Sequence, residues 1–346
     1  MDSTIVLFLL QDGVTNGAIY ALLGFALLIV FSVTRIILIP QGEFVAFGGL
    51  TYAALRAGKV PGTAKLLVIF AVLALLAGLW SRRRTFVASA ALRDAALILL
   101  FPLLAWAVLL TLGTAPRPAV VDVLLTILIV APMGPYIYRL AFEPLAEASV
   151  LTLLIAAIAV HLALTELGLT FFGAEGLRAA PLLAGSLKVG PLLVTGQSIA
   201  VYVTALLLIG GLWLLFGYSL AGKALRATAI NRAGARLSGI ATEQAGSIAF
   251  GLAATLGAIS GILIVPVTTL YYDTGFLIGL MGFVAAIVGG LASYPITGLA
   301  ALAVGIAEAF ASFQASAYKE VIVFALVIPV LLIRSLGRGS SADEEE

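Results

Sequence analysis

Four titratable side chains stand inside otherwise apolar stretches of the chain: Glu43, His161, Glu166 and Glu308. A carboxylate in hydrocarbon is costly unless it is paired or hydrated. Each of the three glutamates therefore either lines a solute pathway or ties two helices together, and the sequence favours neither reading. For His161, an interhelical hydrogen bond is the favoured role, and a proton relay is the weaker alternative.

Other site chemistry has little support in the sequence. A single histidine without neighbouring ligands, in a chain with no cysteine, gives neither a metal site nor a nucleophilic triad. The segment 217–224 nearly matches a phosphate-binding loop, but Ala224 occupies the hydroxyl position and the segment leaves an apolar helix instead of a strand. We predict no catalytic residue, no metal and no cofactor in this chain, which is therefore not expected to be an enzyme.

The composition is that of a protein embedded in a bilayer. Of the 346 residues, 62% are hydrophobic and 10% are charged, whereas soluble domains are about half apolar and about a quarter charged. The formal net charge of +2 is too balanced for a nucleic-acid binder. We predict an all-α integral membrane protein with the lipid bilayer as its surroundings and no nucleic-acid partner.

Spanning helices need about 20 mostly apolar residues, and they form a polytopic bundle of about 9–11 spans here. The second and ninth are short or glycine-interrupted, and Gly13-x-x-x-Gly17 and Gly257-x-x-x-Gly261 predict close helix contacts. We predict that residues 1–338 form one transmembrane domain and that 339–346 form a disordered acidic tail. The candidate spans are 14–34, 37–56, 64–80, 95–113, 119–138, 149–171, 196–217, 246–270, 276–290, 296–313 and 319–334.

Basic residues orient the bundle, because they concentrate on the cytoplasmic side of a membrane. With eleven spans, all three basic clusters fall on one side, which places the N-terminus outside and the C-terminus in the cytoplasm. The connections 172–195 and 271–275 then lie outside. The clusters are Arg82, Arg83, Arg84 and Arg93; Lys223, Arg226, Arg232 and Arg236; and Arg334 and Arg338.

The loop 219–245 is the most informative soluble segment. It is basic and rich in helix-forming residues, and Gly234 and Gly239 are placed to bend or end a short helix. Such a helix suits docking into a groove on a cytoplasmic partner. The alternative is a membrane-surface helix held by anionic lipid, and composition does not choose between the two.

Several motifs occur in order along the chain: Asn16-Gly-Ala-Ile-Tyr20, Arg35-Ile-Ile, Gly42-Glu43-Phe44, Gly222-Lys-Ala-Leu-Arg226, Ala235-Arg-Leu-Ser-Gly239, Gly289-Gly290-Leu-Ala-Ser293, Gly305-Ile-Ala-Glu308 and Tyr318-Lys319-Glu320. Together they resemble the permease subunits of branched-chain amino-acid (LIV-type) ABC importers. The resemblance covers roughly 13–60 and 134–334, whereas 61–133 hold a probable extra helical region. Residues 38–41 read Leu-Ile-Pro-Gln where the family usually has Asn-Phe-Ala-His.

The resemblance implies a permease subunit in a bacterial inner membrane that moves branched-chain amino acids, amides, urea or small organic acids inward. Its partners would be a second, similar permease subunit, two cytoplasmic ATPases that use the ATP, and a periplasmic substrate-binding protein. The translocation path would be lined by Asn16, Tyr20, Gln41, Glu43 and Glu308. Contact with an ATPase would involve Gly222, Lys223, Arg226, Asn231, Arg236 and Gly239.

Two rival functions remain open from the sequence. A stand-alone secondary transporter would need ion-coupling groups near the midplane, for which Glu166, Glu308 and His161 are the candidates. An integral-membrane enzyme would need converging polar groups at one leaflet, and the sequence holds no such cluster. Neighbouring genes for ATPases and a binding protein would separate these alternatives from an importer.

Overall fold

The chain folds almost entirely into helices, as a computed structural model that describes residues 3–81, 88–112, 117–330 and 332 shows. The predicted all-α polytopic class is confirmed. The helices are α1 (Ser3–Thr34), α2 (Gln41–Arg56), α3 (Gly62–Ser81), α4 (Ala88–Leu112), α5 (Ala119–Val130), α6 (Met133–Ile137), α7 (Val150–Phe172), α8 (Gly196–Tyr218), α9 (Leu220–Ile230), α10 (Arg232–Leu237), α11 (Thr242–Ile264), α12 (Thr274–Val288), α13 (Tyr294–Gln314) and α14 (Lys319–Ala325).

Seven helices in the described part are long and apolar enough to cross a membrane. Each of the eleven predicted spans contains a helix, but α2 and α12 are short, with 16 and 15 residues, as their glycines predicted. In the last predicted span, the 7-residue α14 ends at a turn at Leu326, and residues 327–330 are helical again. The count of about nine to eleven crossings stays a prediction.

Helix α1 is the centre of the bundle. In its most apolar window 89% of the residues are buried, against 17% for α7 and 22% for α8, which therefore lie at the periphery. It packs along α13, α11 and α12. A Cβ on Gly17 would lie 2.7 Å from the Cα of Leu302 in α13, so only glycine permits this approach, and the predicted small-residue contact is confirmed.

Helix α2 lies in the middle of the packing although it is short. It contacts α11 and α12, and a Cβ on Gly261 would overlap the carbonyl oxygen of Val45, which confirms the second predicted glycine contact. The chain enters α2 through residues 35–40, where Arg35 takes a φ of 62°. This turn lets the chain reverse between α1 and α2 without a long loop.

The region 61–133 carries α3 and α4, which pack against each other, and α5. Asp122 of α5 is 1% exposed and lies 3.1 Å from both Arg56 and Arg117, so a buried charge cluster fastens α5 to the end of α2. Arg82, Arg83, Arg84, Arg334, Arg338 and the predicted tail 339–346 lie outside the described residues, as does the side chain of Arg93.

A β-hairpin that the sequence did not predict interrupts the connection between α7 and α8. Its strands are β1 (Ser186–Val189) and β2 (Leu192–Thr195), which pair antiparallel around Gly190. In the same connection, Leu177 exchanges backbone hydrogen bonds of 2.8 and 2.9 Å with Leu270. The connection 172–195 is therefore joined to the residue that directly precedes the other segment predicted to lie outside.

Candidate functional site

A cavity of about 280 Å³ opens between α1, α12, α13 and the start of α14. It combines apolar walls with hydroxyl, amide and charged groups, and it holds three of the five residues predicted for the path. The residues that line it are Thr15, Asn16, Ile19, Tyr20, Ile264, Val267, Thr268, Thr274, Leu277, Ile278, Met281, Glu308, Lys319 and Glu320.

Tyr20 and Glu308 form the polar centre of this cavity. The Tyr20 hydroxyl donates a 2.5 Å hydrogen bond to Oε2 of Glu308, across the contact between α1 and α13. Within the described part of the chain, no ion pair within 4 Å engages Glu308, Lys319 or Glu320. The cavity therefore offers both signs of charge to a solute, and Tyr20 holds the inner carboxylate in place.

Gln41 and Glu43 lie elsewhere, in the packing around α2. Each is at most 1% exposed. Gln41 Nε2 donates to the carbonyl oxygen of Ala253 at 3.0 Å, and Glu43 Oε1 lies 2.9 Å from His161 Nδ1. Neither lines the cavity, so the structure does not bring these two together with Asn16, Tyr20 and Glu308.

His161 makes the interhelical hydrogen bond that the sequence favoured. Besides the contact with Glu43, its ring stacks on Phe276 of α12 at 4.5 Å between centroids. One side chain of α7 thus holds both α2 and α12. The candidate ion-coupling groups of a secondary transporter do not converge, because Glu308 pairs with Tyr20 and Glu166 is exposed on α7.

The predicted coupling loop folds as two short helices, α9 and α10, that meet at Asn231. Ser219 caps α9 through Gly222 N at 2.9 Å, and Asn231 Oδ1 caps α10 through Gly234 N, also at 2.9 Å. The expected bend at Gly234 is wrong, because the chain bends at the Asn231 cap and Gly234 lies inside α10. Gly239 ends the segment with a φ of 83°, as predicted.

The basic residues of this segment divide into two kinds. Arg236 lies 3.3 Å from Glu147, and Arg232 donates to the carbonyl oxygen of Ala146 at 3.1 Å, so both fasten α10 to the segment before α7. Lys223 and Arg226 are exposed on α9. Gly222 is buried where α9 turns back against the end of α8.

Apolar side chains that the sequence analysis did not single out project from the same segment. Leu220, Ile230 and Leu237 are 85%, 84% and 90% exposed, and Leu237 stands next to the turn at Gly239. The exposed side chain of Leu237 is available to contact another molecule. The positions of these three residues just outside the apolar helical pattern were the only available signal.

The described residues form neither the phosphate-binding loop that a nucleotide site would need nor the ligand group that a metal site would need. The phosphate-loop look-alike is helical on both sides, since Gly217 belongs to the last turn of α8 and Lys223 lies inside α9. No group of three or more His, Asp or Glu side chains that would suit a metal occurs in the described ranges.

A polytopic helical bundle with a small mixed cavity and an exposed basic helix pair defines a membrane transport subunit. The family described as the branched-chain amino acid transport system permease component matches residues 9–331. The chain belongs to this family, which confirms the resemblance read from the sequence. It is a family of transport permeases and not of enzymes.

Two relatives illustrate the similarity. The high-affinity branched-chain amino acid transport system permease protein BraD of Pseudomonas aeruginosa is 31% identical over 219 residues, which are 61% of this chain and 71% of BraD. The corresponding protein LivH of Escherichia coli K12 is 30% identical over 222 residues, again 61% and 71% of the two chains. No solved structure gives a significant match.

Proposed function

We propose that this chain is the permease subunit of an ABC importer for branched-chain amino acids or closely related small solutes. The cavity around Tyr20 and Glu308 is the main support for the proposal, because its lining is chemically complementary to such a solute. Its volume of about 280 Å³ lies at the small end of ligand pockets. That size suits a small solute that passes through and is not retained.

The lining matches the parts of an aliphatic amino acid. Glu308 would face the ammonium group and Lys319 the carboxylate, each as a charge-assisted contact. The apolar walls, which include Ile19, Ile264 and Met281, would accept the branched side chain. Asn16 adds a neutral polar group, whereas Gln41 and Glu43 would support the path from behind by fixing α2.

Membership of the family supports the remaining parts of the proposed importer. A second, similar permease subunit, two cytoplasmic ATPases and a periplasmic binding protein would complete it, in a bacterial inner membrane with the N-terminus outside. The ATPases would bind and hydrolyse the ATP. The path itself need bind solute only weakly, because the binding protein supplies the affinity.

Helices α9 and α10 would be the contact with an ATPase. They are short and capped at both starts, and α9 packs on α1 and α11. A push on this helix pair would therefore reach the helices that line the cavity. The exposed Leu237 would enter a groove on the ATPase, while Arg236 keeps α10 in position.

Uptake by the complete importer tests the function. Cells that lack their own branched-chain amino-acid uptake would express the chain with its neighbouring transport genes, and labelled isoleucine would be measured with and without the ATPase genes. We expect uptake that is lost without the ATPases. Uptake that persists without them would identify a stand-alone secondary transporter instead.

The ATPase contact has its own test in Leu237→Asp. At 90% exposure this change costs no packing, but it places a charge in the proposed contact, so we expect the ATPase to be lost on co-purification. Leu187→Asp, on the hairpin and 60% exposed, is the matched control and should leave ATPase recovery unchanged. Equal recovery from the wild type and Leu237→Asp would refute the contact.

A further inference from the structure

A groove of about 970 Å³ lies along the second half of α1, whereas the cavity lies along the first half. It runs between α8 and α13, with α1 behind it and α9 across one end. The rings of Phe25, Tyr294 and Phe216 form part of its lining, and Tyr294 lies 5.7 Å from each of the other two, measured between centroids. The path does not use this groove, and only its α9 end, which includes Arg226 and Ile230, belongs to the segment that is proposed to contact the ATPase.

The groove is open at the surface of the bundle, between α8 and α13, two helices that are long and apolar enough to cross a membrane. Its walls carry the exposed side chains of Trp213 and Leu299, which are 64% and 68% exposed. Near its α9 end, Trp213 meets Tyr218 edge-on at 5.6 Å. Tryptophan and tyrosine concentrate where membrane hydrocarbon meets the head groups, so this end of the groove is at head-group depth.

Arg226 is the one charged residue in the described lining of the groove. It is exposed, and within the described ranges its guanidinium has neither an ion-pair partner nor a hydrogen-bond partner. An unpaired guanidinium at the end of an apolar groove suits the binding of a phosphate, which arginine holds through two parallel hydrogen bonds. Lys223, one turn earlier on α9, adds positive charge nearby.

We propose that the groove binds one anionic phospholipid, with an acyl chain between α8 and α13 and the phosphate at Arg226. The mostly apolar walls suit an acyl chain, and basic pockets between membrane helices recognise anionic head groups in this way. Under the orientation proposed above, the lipid comes from the cytoplasmic leaflet. It is a structural and regulatory ligand, distinct from the transported solute.

Under this proposal, α9 and α10 bind different partners. The lipid holds Arg226 and the groove side of α9 against α1, while the far end at Leu237 meets the ATPase. The two readings that the sequence left open for this segment, a protein contact and a lipid contact, then apply to different residues. A lipid at this position would stiffen α9, the helix through which the ATPase contact is connected to the bundle.

Lipid retention by the purified permease–ATPase complex tests the proposal. The complex, stripped in detergent, would be titrated with palmitoyl-oleoyl phosphatidylglycerol and with the phosphatidylcholine of the same chains, and bound lipid would be measured by native mass spectrometry. We expect Arg226→Gln to weaken phosphatidylglycerol binding about tenfold, the loss of a charge-assisted phosphate contact. Lys188→Gln, which removes an exposed positive charge on the hairpin away from the groove, is the control and should change binding less than about twofold.

A second variant tests the acyl-chain part of the site. Leu299→Trp enlarges an exposed side chain inside the groove and should reduce retention of both lipids while ATPase recovery stays normal. Equal phosphatidylglycerol retention by the wild type, Arg226→Gln and Leu299→Trp would overturn the proposal. So would loss of the ATPase from Arg226→Gln, which would assign Arg226 to the protein contact, or loss of the second permease subunit from Leu299→Trp. Leu237→Asp, which targets the ATPase alone, keeps the failure of the two proposals apart.

Discussion

Tyr20 and Glu308 stand 288 positions apart in the sequence and meet through a single hydrogen bond. They meet because α1 and α13 run side by side, closely enough that glycine is required at Gly17 and Gly305. The phenol holds one oxygen of the carboxylate, so the charge of Glu308 has a fixed position. A fixed charge at a cavity wall recognises a solute at a lower entropic cost than a mobile one.

Glu308→Gln should reduce isoleucine uptake by the complete importer about tenfold, because it removes the negative charge that would face the ammonium group. Tyr20→Phe should have a smaller effect, since the carboxylate remains and only its positioning is lost. Glu166→Gln, an exposed carboxylate on α7, is the control and should leave uptake unchanged. Normal uptake by a correctly assembled Glu308→Gln importer would remove Glu308 from the path.

At the scale of the elements, the sequence predicted the helices well and their partners poorly. Apolar runs and glycines were enough to place α2 and α12 as short helices, because these signals are local. The hairpin at 186–195 was missed because its strands are only 4 residues each and lie in an already apolar stretch. The bend at Asn231 was assigned to Gly234, since a side-chain cap is harder to recognise than a glycine.

The candidate site shows the same limit. Asn16, Tyr20 and Glu308 were chosen for polarity and family likeness, and all three line one cavity. Gln41 and Glu43 were chosen on the same grounds, but they lie in the packing of α2. The sequence could not show this, because their partners, Ala253 and His161, are distant in sequence. Polarity in an apolar stretch predicts that a residue has a partner, but not whether the partner is a solute or a helix.

The contact between Glu43 and His161 should matter for stability and not for solute recognition. Leucine at His161 leaves the buried carboxylate without its partner, and breaking a buried pair costs about 3–5 kcal/mol. We therefore expect His161→Leu to lower the thermal unfolding midpoint of the purified complex. The double variant Glu43→Leu/His161→Leu should recover part of the loss, because no buried charge is left alone.

The same experiment distinguishes the two roles of the pair. If Glu43 and His161 only hold α2 to α7, importers that remain folded should keep the wild-type KM for isoleucine. A raised KM in a variant of unchanged thermal stability would contradict this and return Glu43 to the path.

On the scale of the whole molecule, α1 connects the proposed working parts. Its residues 15–20 line the cavity, and its residues 25–33 line the groove beside α9. α9 also packs on α11, whose last residue, Ile264, is in the cavity wall. Movement of α9 by an ATPase would therefore reach the cavity through both α1 and α11. Because α1 is mostly buried, it would transmit this movement without bending.

This arrangement requires the hairpin and the α9–α10 segment to lie on opposite sides of the membrane. The chain has no cysteine, so single thiols can be introduced by replacing a hydroxyl with a group of similar size: Ser186→Cys on the hairpin and Ser238→Cys after α10. Both positions are exposed. In intact cells, a membrane-impermeant maleimide should label Ser186→Cys and spare Ser238→Cys, while both should react after the membrane is permeabilised. Labelling of Ser238→Cys in intact cells would show that the orientation is the opposite one, which would put α9 and α10 out of reach of a cytoplasmic ATPase. If only Ser186→Cys departs from expectation and fails to react with the maleimide in intact cells, the hairpin lies within the bilayer surface.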